Sequence, residues 1–247
     1  MARASIRAAG FGLAIVLAAR PALAGPPYIT DDPEPTDTGH FENYLYMEGT
    51  HATGALGGPS AGFEINYGAF AETQLTLSLP LDPNPGPGGM GVVWAPLGGG
   101  IKYRFIDEDV NGWRPEVAFF PQFSIPIGSA SHTTPTTELL PIWLQKNFGA
   151  WAVFGGGGWT NNPGVGNRSF LNYGAALSYQ ISPRLQLGVE MFGQSRSAAT
   201  SGAAAAVGLG GIFDFNENWH LIWSTNTGIT DPAADRFSYN VALKWTF

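Results

Sequence analysis

The chain of 247 residues has no cysteine, few charged residues and no long hydrophobic run. The absence of cysteine excludes disulfides, thiolate metal sites and cysteine catalysis. A helix that spans a bilayer needs about 20 consecutive apolar residues, so helical membrane spans are excluded as well. Lysine and arginine number 12 against 19 acidic residues, which leaves no basic patch for nucleic acid. Nucleic acid is therefore not an expected partner.

Glycine is abundant, with 34 residues, which is more typical of many short strands and turns than of helices. The clearest strand is the last segment, residues 237–247, because large apolar side chains alternate there with small or polar ones. In an outer-membrane barrel the apolar face contacts lipid and the polar face lines the lumen. The two faces are Phe237, Tyr239, Val241, Leu243, Trp245 and Phe247 against Ser238, Asn240, Ala242, Lys244 and Thr246.

A strand that ends on an aromatic residue resembles the closing strand of bacterial outer-membrane barrels, which commonly ends in phenylalanine. The resemblance implies that outer-membrane lipid surrounds the protein. It also implies that the strand ending at Phe247 is the contact for the barrel-assembly machinery.

The N-terminal end predicts a secretory signal peptide over residues 1–24. Arg3 and Arg7 supply its positive end, residues 8–19 are apolar, and Ala22–Ala24 forms a small-residue cleavage site. Residues 25–39 follow as a proline-rich acidic lead-in, which is neither helix nor central strand because proline lacks the N–H donor. This segment is expected to be a periplasmic tail or a plug that enters the barrel, and residues 40–247 are expected to form the barrel.

Alternation of apolar and polar residues predicts twelve strands. Short connections of 69–71, 107–113, 148–150, 182–184 and 215–218 alternate with generally longer ones that are rich in glycine and proline. Short periplasmic turns and long external loops are typical of outer-membrane barrels. We therefore predict an all-β fold, a transmembrane antiparallel up-and-down barrel in the outer membrane of a Gram-negative bacterium; a soluble periplasmic β-protein is the rival. The predicted strands are 40–50, 61–68, 72–81, 98–106, 114–127, 138–147, 151–160, 169–181, 185–195, 203–214, 219–228 and 236–247.

The register of the strands determines which side chains face lipid. A slip of one residue would turn lysine and arginine toward hydrocarbon, at about 2–4 kcal/mol each near the midplane. Tryptophans at the predicted strand ends, such as Trp151 and Trp219, fit an interfacial girdle. The side chains expected to face lipid include Phe63, Ile65, Tyr67, Leu75, Leu77, Leu79, Ile101, Tyr103, Phe105, Val117, Phe119, Phe123, Leu171, Tyr173, Leu177, Leu187, Val189 and Met191.

Several segments of the chain resemble one family of small outer-membrane barrels, described as "Putative MetA-pathway of phenol degradation". The resemblance covers nearly all of the chain after the signal peptide. It implies a transporter of small, aromatic or hydrophobic compounds, and it brings no catalytic residue and no cofactor. The matching segments are residues 28–36, 39–42, 64–68, 100–105, 141–149 and 155–158, with Asn162-Pro163-Gly164.

Inward-facing charges are the candidate functional residues. On these strands they can form an ion-pair network that acts as a constriction or selectivity filter. The alternative is a network that only fills and stabilises a narrow barrel. The candidates are Glu42, Glu64, Lys102, Arg104, Glu116, Glu190 and Lys244.

The sequence predicts a narrow passive channel for small solutes, with no catalytic residues, cofactor or metal. The four histidines lack metal spacing, and prolines break the calcium-loop spacing of the acids in residues 31–37. Glycines 155–158 lack the lysine of a phosphate loop. Two alternatives remain open: a structural barrel with a closed lumen, and a lipid-acting enzyme, for which His132 with Ser129 or Ser131 is the candidate cluster.

Overall fold

The computed structural model describes residues 27–52, 55–56, 59–82, 92–127, 134–230 and 237–247. The signal peptide expected over residues 1–24 and the cluster of Ser129, Ser131 and His132 lie outside these ranges. Within the described ranges there is no helix long and apolar enough to cross a bilayer.

The prediction of twelve strands is confirmed. Two-residue pieces at Ala55–Leu56 and Val93–Trp94 extend the sheet beside the first and third strands. The barrel strands are β1 (Phe41–Ala52), β2 (Ser60–Phe70), β3 (Thr73–Asp82), β4 (Leu97–Ile106), β5 (Glu116–Phe119 with Gln122–Ile125), β6 (Thr137–Phe148), β7 (Trp151–Asn161), β8 (Phe170–Ser182), β9 (Leu185–Gln194), β10 (Ala204–Asp214), β11 (Trp219–Gly228) and β12 (Phe237–Thr246).

The sheet closes on itself as an up-and-down barrel. Each strand pairs antiparallel with the next in sequence, and β1 pairs with β12 from Glu42↔Thr246 to His51↔Phe237. At the end of this seam the Phe41 N–H donates to the Phe247 carbonyl at 2.8 Å. We call this end, where β1 begins and β12 ends, the terminal rim. The two-residue turns 71–72, 149–150 and 183–184 lie at the same rim.

Strand β5 is interrupted at Pro121, which has no N–H to donate to the ladder. Its neighbours still hydrogen-bond across the interruption. The Ile101 N–H donates to the Pro121 carbonyl, and the Phe120 N–H donates to the Pro141 carbonyl, each at 3.1 Å. Side chains keep their alternation through this point, so the wall remains continuous.

The predicted register is confirmed by the exposure of neighbouring side chains. On β4, Ile101 is 48% exposed whereas Lys102 is 1% exposed. The outer surface is an apolar band, and the inner surface is mostly polar. Val117 was expected in the outer band but is buried, beside an irregularity in the pairing of β4 with β5. Trp219 and Trp245 stack at the terminal rim with ring centroids 5.8 Å apart.

Candidate functional site

The proline-rich lead-in lies inside the barrel. From β1 the chain reverses at Gly39, whose φ of +83° is in the left-handed region that glycine tolerates. The Gly39 N–H donates to the Gly68 carbonyl on β2 at 2.7 Å. From there residues 27–38 cross the lumen to the opposite wall formed by β8, β9 and β10. We call residues 27–38 the lumen segment.

Lys102 holds the middle of the lumen segment. Its ammonium lies 3.1 Å from Asp31 Oδ1 and donates to the Asp32 carbonyl at 2.9 Å. The same ammonium lies 5.0 Å from the centre of the Phe120 ring, a cation–π arrangement. Lys102 and Asp31 are both buried, so each charge depends on the other for compensation.

Glu190 holds the far end of the lumen segment. Its two carboxylate oxygens accept the N–H groups of Ile29 and Thr30 at 3.2 and 3.1 Å. Next to this contact the ring of Tyr28 packs on Phe154, with ring centroids 5.7 Å apart. The backbone is therefore fixed by charge-assisted hydrogen bonds and the side chain by an aromatic contact.

Gln74 holds the end nearest β1 through a chain of amide contacts. Its Oε1 accepts the Thr36 N–H at 2.8 Å, and its Nε2 donates to Asn66 Oδ1 at 2.9 Å. Asn66 in turn donates to Glu64 at 2.9 Å. Glu64 thus belongs to a buried amide network, and within the described part of the chain it forms no ion pair.

The other sequence-predicted charges form two separate ion pairs near the terminal rim. Arg104 Nη1 lies 2.9 Å from Glu116 Oε2, and the same guanidinium also contacts Glu72. Lys244 Nζ lies 2.8 Å from Glu42 Oε2. The seven predicted residues all belong to the barrel wall, but they are distributed among the lumen segment's contacts and these two pairs rather than joined in one network.

Two of the acids outside the strands, Glu34 and Glu108, have pKa values that are shifted in opposite directions. Water reaches the Glu34 side chain, yet its pKa is raised to about 7, first by desolvation in the enclosed interior and then by the carboxylates of Asp32 and Glu116. In the turn after β4, desolvation opposes ionisation of Glu108. Hydrogen bonds from Lys146 and Asn147 outweigh that effect and lower the pKa of Glu108.

A cavity of about 190 Å³ lies between β8 and β12 toward the terminal rim. His220 faces it and pairs with Asp214 through Nδ1 at 2.6 Å, so the histidine is hydrogen-bonded to the wall. All residues that line the cavity come from wall strands, and the lumen segment leaves this part of the interior unfilled. The lining residues are Gln180, Gln186, Ile212, Asp214, His220, Ile222 and Lys244.

Metal ligands are not grouped in the described part of the chain, where no cluster of three or more histidine or acidic side chains is placed to hold an ion. Asp31 and Asp32, two of the acids considered for calcium, contact the Lys102 ammonium instead. A bound lysine supplies the positive charge that a cation would supply, so these carboxylates are already compensated.

Aromatic side chains that face the interior were not predicted from the sequence. Phe120 and Trp143 pack together as one buried cluster, and Tyr28 packs with Phe154 in another. A signal for Trp143 was present, because Ile142 and Leu144 on either side are exposed on the outer surface and alternation turns Trp143 inward. Tyr28 gave no such signal, since the lead-in lacks periodicity.

The comparisons with known proteins agree with this geometry. The family described as "Putative MetA-pathway of phenol degradation" matches residues 56–245. The COG4313 outer membrane channel from Pseudomonas putida F1 is similar in structure with a TM-score of 0.65 and 12% identity, over 87% of this chain and 99% of that one. No curated protein sequence matches the chain.

Two porins are also similar in structure. The KdgM porin matches with a TM-score of 0.56 and 11% identity, over 83% of this chain and 99% of its own. The NanC porin matches with a TM-score of 0.56 and 8% identity, over 83% and 98%. At these identities the likeness shows the fold, and the fold is that of outer-membrane channels and porins.

Proposed function

We propose that this chain, which belongs to the family described as "Putative MetA-pathway of phenol degradation", is an outer-membrane barrel. We propose further that the barrel forms a narrow passive channel for small solutes. One observation carries the proposal: a closed wall that is apolar outside and mostly polar inside, with a cavity of about 190 Å³ in its interior. The terminal rim then faces the periplasm, as short turns do in such barrels. Passage needs no covalent chemistry, so an enzymatic role is not part of the proposal.

Aromatic or hydrophobic compounds are the proposed solutes. Phe120, Trp143 and Phe154 face the interior, although the inward face of a porin strand usually carries polar side chains. In this structure the rings are covered by one another, by Lys102 and by Tyr28. Where the lumen segment moves away, they would give a planar solute offset or edge-on contacts that a purely polar lumen lacks. The description of the family, which concerns phenol degradation, supports the same class.

The ion pairs near the terminal rim are the proposed constriction. Arg104 with Glu116 and Lys244 with Glu42 lie on strands around this rim, where a solute would leave the barrel. Fixed charges of both signs at a narrow passage favour neutral or weakly charged solutes over small ions of one sign.

Planar-bilayer recording on the purified protein tests the channel. We expect small, stepwise currents from folded protein and none from a heat-denatured aliquot of the same preparation. Liposomes with the barrel in their membrane should also release a small phenol faster than empty liposomes. Absence of both current and solute flux from demonstrably folded protein would contradict the channel proposal.

A structural barrel with a closed lumen is the second candidate. The observation in its favour is the filling of the interior, since Glu64, Lys102 and Phe120 are almost fully buried and the lumen segment crosses between them. Under this alternative, the barrel gives no current even after the lumen segment is released. Lys102→Gln and Tyr28→Ala weaken the docking of the lumen segment, so bilayer recording on these variants separates the two candidates.

A further inference from the structure

Tyr28 occupies a recess in the inner wall of the barrel. The side chain is 3% exposed and packs with Phe154 and Ala176. Its hydroxyl donates to the Gly210 carbonyl at 3.3 Å. A single residue of the lumen segment thus fits its ring and its hydroxyl into complementary features of the wall. We call the wall around Tyr28–Thr30, formed by Phe154, Gly174, Ala176, Gly188, Glu190 and Gly210, the cradle.

Glycines make the room for this occupant. A Cβ atom at Gly188 would collide with the Tyr28 hydroxyl, and one at Gly174 would collide with the Thr30 side chain. A Cβ atom at Gly210 would come within 3.1 Å of the Tyr28 ring. Glycine in a strand often marks the close approach of another group, and here the group is the chain's own N-terminal segment.

The cradle also offers hydrogen-bond acceptors. Glu190, which is 4% exposed, accepts two N–H groups beside the ring, and the Gly210 carbonyl accepts the phenolic hydroxyl. Buried acceptors are costly when they are left unpaired. An occupant of the cradle must therefore present a ring to Phe154 and donate hydrogen bonds to the acceptors around it.

In the part of the chain that the structure describes, the lumen segment contacts the wall noncovalently at Gln74, Lys102, Gly68 and the cradle. It is covalently tied to the wall only through Gly39 at β1. Release of residues 28–36 would therefore empty the cradle and widen the lumen together, without any change in the twelve wall strands.

We propose that the cradle is a binding site for solutes that combine an aromatic ring with a hydroxyl or amino donor, and that residues 28–36 are the internal occupant which such a solute displaces. This proposal rests on the proposed function in one respect: the channel is the route by which a solute reaches the cradle. A solute binds only to barrels whose cradle is empty. Because Tyr28 occupies the cradle, the apparent affinity for the solute is the intrinsic affinity multiplied by the fraction of barrels with an empty cradle.

Thiol labelling measures the displacement directly. The chain has no cysteine, so Thr30→Cys introduces a single thiol at a side chain that is 1% exposed. A water-soluble maleimide should label folded T30C slowly. Addition of 4-methylphenol, which is the side chain of tyrosine as a free molecule, should accelerate labelling by about tenfold at saturation.

Two control solutes separate recognition from general loosening of the barrel. Toluene has the ring but no donor, and 4-methylcyclohexanol has the donor but no aromatic ring. Neither should accelerate labelling of T30C to the same extent. Equal acceleration by all three compounds, or no acceleration by 4-methylphenol, would overturn the binding site. Rapid labelling without any solute would overturn the occupancy by residues 28–36.

Tyr28→Ala supplies the second measurement. Removal of the internal competitor should tighten binding of 4-methylphenol at least about tenfold in calorimetric titration. The matched control is Tyr179→Ala, which removes a tyrosine that is exposed on the outer surface and should leave the affinity unchanged. Unchanged affinity in Y28A would count against the cradle as the site. Retention of the heat-dependent gel shift establishes that each variant is folded.

These measurements are independent of conductance. If T30C responds to 4-methylphenol as expected but no variant conducts, the cradle stands and the channel proposal falls. If the wild type conducts but T30C shows no response to any solute, the channel stands and the cradle falls.

Discussion

Lys102 Nζ lies 3.1 Å from Asp31 Oδ1, and this contact joins wall strand β4 to the lumen segment. Both side chains are buried. Loss of one member would leave the other charge enclosed without compensation, which is far more costly than loss of the pair. Loss of the Lys102 side chain should therefore strongly weaken the docking of the lumen segment.

Lys102→Gln should lower the free energy of unfolding by about 3–5 kcal/mol, because Asp31 remains as an uncompensated buried charge. It should also increase the labelling rate of T30C. The double variant K102Q/D31N should recover much of the lost stability, since both charges are then absent. Denaturant titration in detergent measures the stability, and Arg184→Gln, at an exposed turn position, is the control. Equal losses in the single and double variants would exclude a specific pair.

Arg104→Met should shift ion selectivity toward cations. The substitution leaves Glu116 and Glu72 without the guanidinium that they contact, so the charge at the terminal rim becomes more negative. Reversal potentials across a salt gradient measure the shift. Arg104→Lys keeps the charge but loses the forked contacts, so it should be less stable while its selectivity stays near the wild-type value. A purely stabilising pair would change stability in both variants and selectivity in neither.

Glu34 should make the channel dependent on pH. Its pKa is raised to about 7, so the carboxyl is mostly neutral at low pH and becomes negative as the pH rises through about 7. Cation preference should therefore increase from about pH 5 to about pH 8. The protonated Glu34 carboxyl favours docking of the lumen segment, and this contribution is fully present below the ordinary pKa of glutamate. It is lost as the pH rises through about 7. Glu34→Gln should reduce the change in reversal potential and leave the part that Asp31 contributes, since burial also raises the pKa of Asp31 to about 7. An unchanged profile would assign the titration to other groups.

Leu77→Arg tests the lipid-facing surface. Leu77 is exposed on the outside of β3, whereas its neighbour Ser78 is buried inside. An arginine facing hydrocarbon should cost about 2–4 kcal/mol near the midplane. Refolding into lipid vesicles at graded urea concentrations measures the loss, and Leu77→Ala shows how much comes from the lost leucine alone. Equal stability of L77R and L77A in vesicles would mean that this surface is not in contact with lipid.

The strands could be predicted because their signal is local. The alternation of Ile101 with Lys102, or of Leu77 with Ser78, depends only on neighbouring residue types and a side-chain period of two. The count of strands and the facing of charges followed from this alternation. The interruption at Pro121 was not predicted, since the missing N–H leaves the alternation of side chains unchanged.

The contents of the lumen could not be predicted from the same signal. Asp31 lies 71 residues before Lys102, and nothing in the proline-rich lead-in has a period that would orient it. Its position depends on shape, namely the recess that Gly174, Gly188 and Gly210 leave in the wall. Glycine in a strand often marks the close approach of another group, but the group that approaches is visible only once the barrel is closed.

The seam between β1 and β12 has a consequence for biogenesis. The wall closes only when β12 pairs with β1. The lumen segment is continuous with β1, one edge of that seam. In a closed but empty lumen, water would hydrate Lys102, so late entry of the segment would have to remove that water before Asp31 supplies the compensating charge. Insertion while β1 and β12 are still unpaired avoids this step, so we expect the barrel to be assembled around its own occupant.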